Sequence, residues 1–137
     1  MKQKAIICDL DGTLAIVGDR SPYNSKDCHL DYINFPVYDV VDRYYDSGVK
    51  IFLFSGRDGT YEKETRVWLE KHMVPYDRLI MRQPEDKRKD AIVKEEMFRW
   101  HIDGKYDVLF VLDDRDQVVK MWREIGLTCF QVNYGNF

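Results

Sequence analysis
The 137-residue chain is expected to fold as an α/β domain around a doubly wound parallel sheet. Three observations lead there. Its β-type runs are continuously apolar rather than alternating, as strands covered on both faces are. Stretches of helical period separate them, so strand and helix alternate along the chain. The short polar motifs fall at strand ends, where open parallel sheets bind ligands. One Rossmann-like domain over residues 1–137, a central sheet flanked by helices, is the expectation.

Taken in order, strands are expected at 5–10, 49–54, 78–81, 108–112 and 129–132. Val37, Val40, Val41 and Tyr44 follow an i, i+3, i+4, i+7 spacing that stops at Ser47-Gly48, a helix-ending signal. Further helices are expected at 65–72, 86–100 and 116–125, the last closed by Gly126. Residues 14–35 show no clear period and carry Gly18, Pro22, Asn24 and Asn34, so they read as a long loop. No repeat, linker or low-complexity block interrupts the pattern.

Hydrophobic residues at 45% and charged residues at 33% are the balance of a soluble globular chain. No run approaches the roughly 20 apolar residues that span a bilayer, so no membrane role is expected. The net charge of −3 disfavours gripping a long duplex backbone, yet still allows a small contact with one strand end. Cys8, Cys28 and Cys129 show no CxxC or Cys/His ligand spacing and read as buried free thiols in a reducing cytoplasm.

Asp9-Leu10-Asp11-Gly12-Thr13 closes the first strand. Residues two apart on an extended strand point the same way, so two carboxylates converge there. Gly12 permits a sharp turn and Thr13 adds a hydroxyl. Paired carboxylates repel unless a cation or a shared proton intervenes, and a hard ion such as Mg²⁺ meets that need. Alone, the motif reads more simply as a turn or a calcium-type loop. Phe54-Ser55-Gly56-Arg57 offers a hydroxyl, a close-approach glycine and a guanidinium, all suited to a phosphate oxygen. A plain strand-to-helix turn has the same residues.

Leu112-Asp113-Asp114-Arg115 ends the fourth strand, as a metal seat or with Asp114 capping the next helix. Asp90 and Lys94, in Arg88-Lys89-Asp90 and Val93-Lys94-Glu95-Glu96, are i, i+4 on a helix and can pair, as on any solvated face. The company of all four motifs carries the signal.

In this order and spacing the motifs resemble those of the haloacid dehalogenase-like (HAD) phosphohydrolases. They are a first-strand DxDGT, a serine after the second strand, a lysine and an acidic pair. The resemblance is closer to the 3′-phosphatase domain of the bacteriophage polynucleotide kinase/phosphatase family. It extends over Leu14-Ala15, Ser21-Pro22-Tyr23, Gln117-Val118-Val119, Met121-Trp122-Arg123 and Gln131-Val132. It implies a HAD domain and Mg²⁺-dependent removal of the 3′-terminal phosphate from DNA or RNA ends through an aspartyl phosphate.

Residue by residue, the resemblance implies Asp9 as nucleophile and Asp11 as general acid/base. Ser55, Arg57 and Lys94 would contact phosphate. Arg20, Gly56, Thr13 and Asp90 would complete the substrate side, Asp90 supporting the lysine. Mg²⁺ would sit among Asp9, Asp11 through its main-chain carbonyl, Asp113 and Asp114. Helix phase leaves Lys89 and Lys94 both open, and the resemblance favours Lys94. The implied partners are 3′-phosphorylated nucleic-acid ends, a second copy in a homodimer, and a separate kinase or ligase.

Two departures stand out. No G-x-x-x-x-G-K-[ST] phosphate loop is present, so no 5′-kinase reaction by that mechanism is expected. The stretch 57–61 is also shorter than in the phage enzyme. Two other readings remain: a capless HAD phosphatase acting on a small phosphate ester or phosphoprotein, and a HAD-fold module that only binds a partner. Residues 14–35 are too few for a folded cap, and an open mouth suits a polymer end. His29, His72 and His101 are expected at surface or capping positions, and Trp68, Trp100 and Trp122 in core or interface. Tyr23 is the aromatic best placed to touch substrate.

Overall fold
The computed structural model describes residues 1–18, 20–21 and 24–137. Pro22 and Tyr23 lie outside the described residues. In chain order the elements are β1 (Gln3–Asp9), β2 (Ala15–Ile16), β3 (Tyr32–Ile33), α1 (Phe35–Asp46), β4 (Lys50–Asp58), α2 (Glu62–Lys71), β5 (Arg78–Arg82), α3 (Asp90–His101), β6 (Tyr106–Asp113), α4 (Asp116–Glu124) and β7 (Cys129–Gln131).

The main sheet has the order β5–β4–β1–β6–β7, and every pairing in it is parallel. The chain builds outward from β1 to β4 and β5, then crosses back to β6 and β7. The order therefore reverses between β1 and β6, which opens the crevice where such sheets bind ligands. Asp9 is level with Phe54 on β4, and Cys8 is level with Leu112 on β6. Asp9 and Asp113 thus end neighbouring strands at the same edge.

Successive strand side chains alternate between faces, so β1 feeds two cores. Ile6 and Cys8 pack with Val37 and Val41 of α1 and with Trp68 and Leu69 of α2. Ala5 and Ile7 pack with Val93, Met97 and Phe98 of α3 and with Val118, Val119 and Trp122 of α4. Phe52 and Phe54 are buried on the second face, and burial of a side chain this size contributes about 2–3 kcal/mol. Among the described residues no inserted cap domain stands over the strand ends, and no helix is long and apolar enough to cross a membrane.

Three boundaries differ from expectation. The long loop carries a short antiparallel pair, β2 with β3, and a 3-10 turn at Cys28–Leu30; two-residue strands have too little period to read. The second strand runs on to Asp58, so Ser55, Gly56 and Arg57 lie on it rather than after it. The helix expected from residue 86 starts at Asp90. Asp86 accepts instead from the Arg88 main-chain N–H at 3.1 Å, a local turn that competes with the helix.

Candidate active site
The carboxylates of Asp9, Asp113 and Asp114 converge in the crevice, all three residues buried, each with an oxygen within 4.8 Å of the others. Lys94 reaches them from α3. Its Nζ donates to Asp9 Oδ1 at 2.7 Å and to Asp113 Oδ2 at 3.2 Å, and stands 3.7 Å from Asp90 Oδ2. Thr13 Oγ1 donates to Asp9 Oδ2 at 2.9 Å. Asp113 also accepts from Trp122 Nε1 at 3.1 Å and from the Asp114 main-chain N–H at 2.8 Å. Gly12 turns the chain here with φ +82°, and a side chain there would overlap the Asp114 carboxylate.

Burial, reinforced by the charge of Asp113, raises the Asp9 carboxyl well above its ordinary range, against the pull of Lys94. Asp114 is raised as well, chiefly by burial. Burial alone would lower the Lys94 ammonium, but Asp113, Asp9 and Asp90 outweigh it and hold it well above the usual value. Three carboxylates against one ammonium leave an excess of negative charge out of contact with water. An all-oxygen donor set with that excess fits a hard divalent cation.

Asp11 belongs to a second network. Arg57 Nη2 donates to its Oδ1 at 2.6 Å, and Arg57 Nε lies 3.1 Å from both oxygens. The other donors of Arg57 reach Thr65 Oγ1 at 3.1 Å and Asp31 Oδ2 at 3.2 Å. Arg20 bridges the same two acids, from Nη2 to Asp11 at 3.0 Å and to Asp31 at 2.8 Å, with Nε on Asp31 at 2.9 Å. Its Nη1 donates to the carbonyls of Ser21 and Asn24. Both guanidiniums, expected to face phosphate, are therefore engaged by protein oxygens. The Asp11 side chain, at 31% exposure, is the accessible member. It stands with the arginines rather than among the three converging acids, so the structure does not bring the Asp11 side chain to the expected metal seat.

Ser55 is buried, and its Oγ accepts from the Arg57 main-chain N–H at 3.1 Å. What approaches Gly56 closely is Asp90, whose carboxylate a side chain at that position would overlap. Asp90 in turn faces Arg82 at 3.3 Å, Lys94 at 3.7 Å and Arg115 at 3.9 Å. Lys89 is exposed, so the lysine of the cluster is Lys94. Trp68 and Trp122 are fully buried, as core positions are, whereas Trp100 is exposed.

Several residues of these networks escape a sequence reading. Asp31 and Asn34 lie in the aperiodic loop, where no spacing marks them. Asn34 Nδ2 donates to the Thr13 carbonyl at 2.8 Å, and Trp68 Nε1 donates to the Asp31 carbonyl at 2.8 Å. Thr65 looks like any buried helical threonine. Trp122 carried a usable signal, because a buried indole N–H needs an acceptor.

A parallel sheet with aspartates ending its two central strands, and a lysine buried among them, defines a phosphatase of the HAD class. The chain belongs to the family of the polynucleotide kinase PNKP phosphatase domain, whose family model it matches over residues 3–137. It is 36% identical over 137 residues to the "Putative bifunctional polynucleotide kinase/RNA ligase" of Autographa californica nuclear polyhedrosis virus, across 94% of this chain and 19% of that protein. It is 50% identical, with a TM-score of 0.97, to a chain in a solved Pnkp1/Rnl/Hen1 complex, across 99% of this chain and 48% of that one. The chain thus spans half or less of the length of these relatives. A class C acid phosphatase from Bacillus anthracis, solved with tungstate, shares the fold at 19% identity and a TM-score of 0.66, across 86% of this chain and 54% of that one.

Proposed function
We propose that the chain removes the 3′-terminal phosphate from nucleic-acid ends, as a Mg²⁺-dependent phosphomonoester hydrolase of end repair. One observation carries this reading: the buried Asp9 carboxylate ends the central strand, held by Thr13 and Lys94, with Asp113 and Asp114 within 4.8 Å. Membership of the PNKP phosphatase family supports the phosphate chemistry. The relatives' names, a polynucleotide kinase/RNA ligase and an RNA repair complex, support a strand end as substrate, RNA first, and a ligase among the partners. Free buried thiols at Cys8, Cys28 and Cys129 suit a reducing cytoplasm, and self-association as a homodimer is part of the same reading.

In the first step an Asp9 oxygen attacks phosphorus in line, forming an aspartyl O–P bond as the P–O3′ bond breaks. The departing 3′-oxygen takes a proton from Asp11. Water then attacks the aspartyl phosphate and loses a proton to Asp11, which releases inorganic phosphate and frees Asp9. Lys94 aligns Asp9 and, with Ser55, balances charge on the phosphoryl oxygens. Asp9, Asp113, Asp114 and the main-chain carbonyl of Asp11 would hold Mg²⁺, which when bound would neutralise charge on nucleophile and phosphate. Arg57, Arg20 and Asp31 position Asp11. Proton donation requires that carboxyl to turn from the two guanidiniums toward the leaving oxygen.

The test is a 3′-phosphorylated oligonucleotide with Mg²⁺, run beside a 5′-phosphorylated strand, a mononucleotide and an Asp9→Asn variant. Phosphate release from the 3′ end alone, abolished in the variant, is the expected result. Release from the mononucleotide but not the oligonucleotide would move the substrate to a small phosphate ester, and silence on both would leave a binding module.

A further inference from the structure
After β7 the chain folds back over the loop that carries Asp113 and Asp114, and it engages the main chain of that loop residue after residue. Val132 N–H donates to the Asp113 carbonyl at 3.0 Å. Gln131 Nε2 donates to the Asp114 carbonyl at 2.9 Å and to Asp116 Oδ1 at 2.7 Å. Asp116 N–H, at the start of α4, donates to the Gly135 carbonyl at 2.7 Å. Arg115 Nε donates to the Phe137 carbonyl at 2.8 Å, with its guanidinium 5.1 Å from the centre of the Phe137 ring.

Gly135 sits so close that a β-carbon there would overlap the Asp114 carbonyl oxygen and crowd the Arg115 Cα. Both obstacles are backbone, which cannot swing aside as a side chain can. The Asp114 carboxylate, by contrast, is held among the described residues by a long contact from the Thr13 hydroxyl, at 3.4 Å, and by its like-charged neighbour Asp9. Its direction also depends on its own main chain, and that main chain is held from behind by residues 131–135.

We propose that residues 131–135 form a positioning strap for the acidic loop, with Gly135 and Gln131 setting cation affinity through Asp114. This rests on the metal reading of the acidic cluster given above. The strap touches neither phosphate nor cation, so it acts on affinity for the ion rather than on the chemical step.

Mn²⁺ binding to the full chain, followed without substrate by the electron paramagnetic resonance of the free ion, tests this directly. Gly135→Ala is expected to weaken Mn²⁺ binding at least about tenfold, as loss of an outer-shell support does. Gln131→Met, which keeps side-chain length and removes the donor, is expected to weaken it about threefold. In both, kcat at saturating Mg²⁺ should stay near the wild-type value while the half-saturating Mg²⁺ concentration rises.

Folded variants that bind Mn²⁺ as wild type does would overturn the strap. Should Gly135→Ala fail the circular-dichroism check for folding, Gln131→Met decides alone. Asp114→Asn separates the two levels: a wild type that binds no Mn²⁺, or an Asp114→Asn variant that binds it undiminished, removes the metal reading and the strap with it.

Discussion
Two buried charge clusters flank the end of β1, and they differ in balance. On the α3–α4 side, Asp9, Asp113 and Asp114 face one ammonium, that of Lys94. On the α2 side, Asp11 and Asp31 face the two guanidiniums of Arg20 and Arg57, so positive and negative charges match. A matched network satisfies itself and holds Asp11 in position. An unmatched one keeps a standing need for positive charge, which is the condition for seating a cation. Net charge separates the two roles better than burial does, because both clusters are largely out of water.

The comparison can be broken in several places, beginning with the largest effect. Asp9→Asn should lower phosphate release at least about a thousandfold, since it removes the proposed nucleophile. It should leave metal-free thermal stability unchanged or higher, because it removes one of the excess charges. Activity surviving the substitution would place the nucleophile elsewhere.

Lys94→Met deletes the one cation that pairs with Asp9 and Asp113 among the described residues and should destabilise the metal-free protein by about 3–5 kcal/mol, the scale of breaking a buried charge pair. Urea unfolding with and without Mg²⁺ reads this, and Mg²⁺ should restore a large part. Asp31→Asn, in the matched network, should lose less, about 1–3 kcal/mol, and Mg²⁺ should restore none of it. Equal rescue of both variants would erase the distinction between the clusters.

The smallest expected effect is a slope with pH. Asp9 and Asp114 titrate above their ordinary value of 3.8 in the folded chain. The folded state therefore binds these protons more tightly than the unfolded chain does. Their contribution is complete below the unfolded value and is lost as pH rises through the raised folded values. Melting temperature without metal should fall across that window, and saturating Mg²⁺ should flatten the fall. A metal-free melting temperature that rises over the same window would contradict the assignment.

Much of this was legible in the sequence. The five main strands, the four helices and the strand-end placing of Asp9, Asp113 and Asp114 follow from apolar runs and their interruptions. Lys94 over Lys89 was not decided by helix phase; the structure separates them by burial. The matched network was the least legible part. Asp31 lies eleven residues beyond Arg20 in a stretch without period, and nothing local shows that it pairs both with Arg20 and with Arg57 of β4. In the sequence Gly56 reads as room for a ligand, whereas the group that needs the room is Asp90. Proximity between distant segments is a property of the packed sheet, and short motifs do not encode it.

The Lys94 bridge to Asp9 spans 85 positions of chain, and the Thr13 contact with Asp114 spans 101. Contacts this remote in sequence close late, because the loop entropy must be overcome before they form, and parallel sheets fold slowly for the same reason. A chain in which β6 has not yet docked has its DxDGT motif but lacks the acidic pair, Asp113 and Asp114, beside Asp9. On the proposed function, the onset of hydrolysis during refolding should therefore report the docking of β6 against β1.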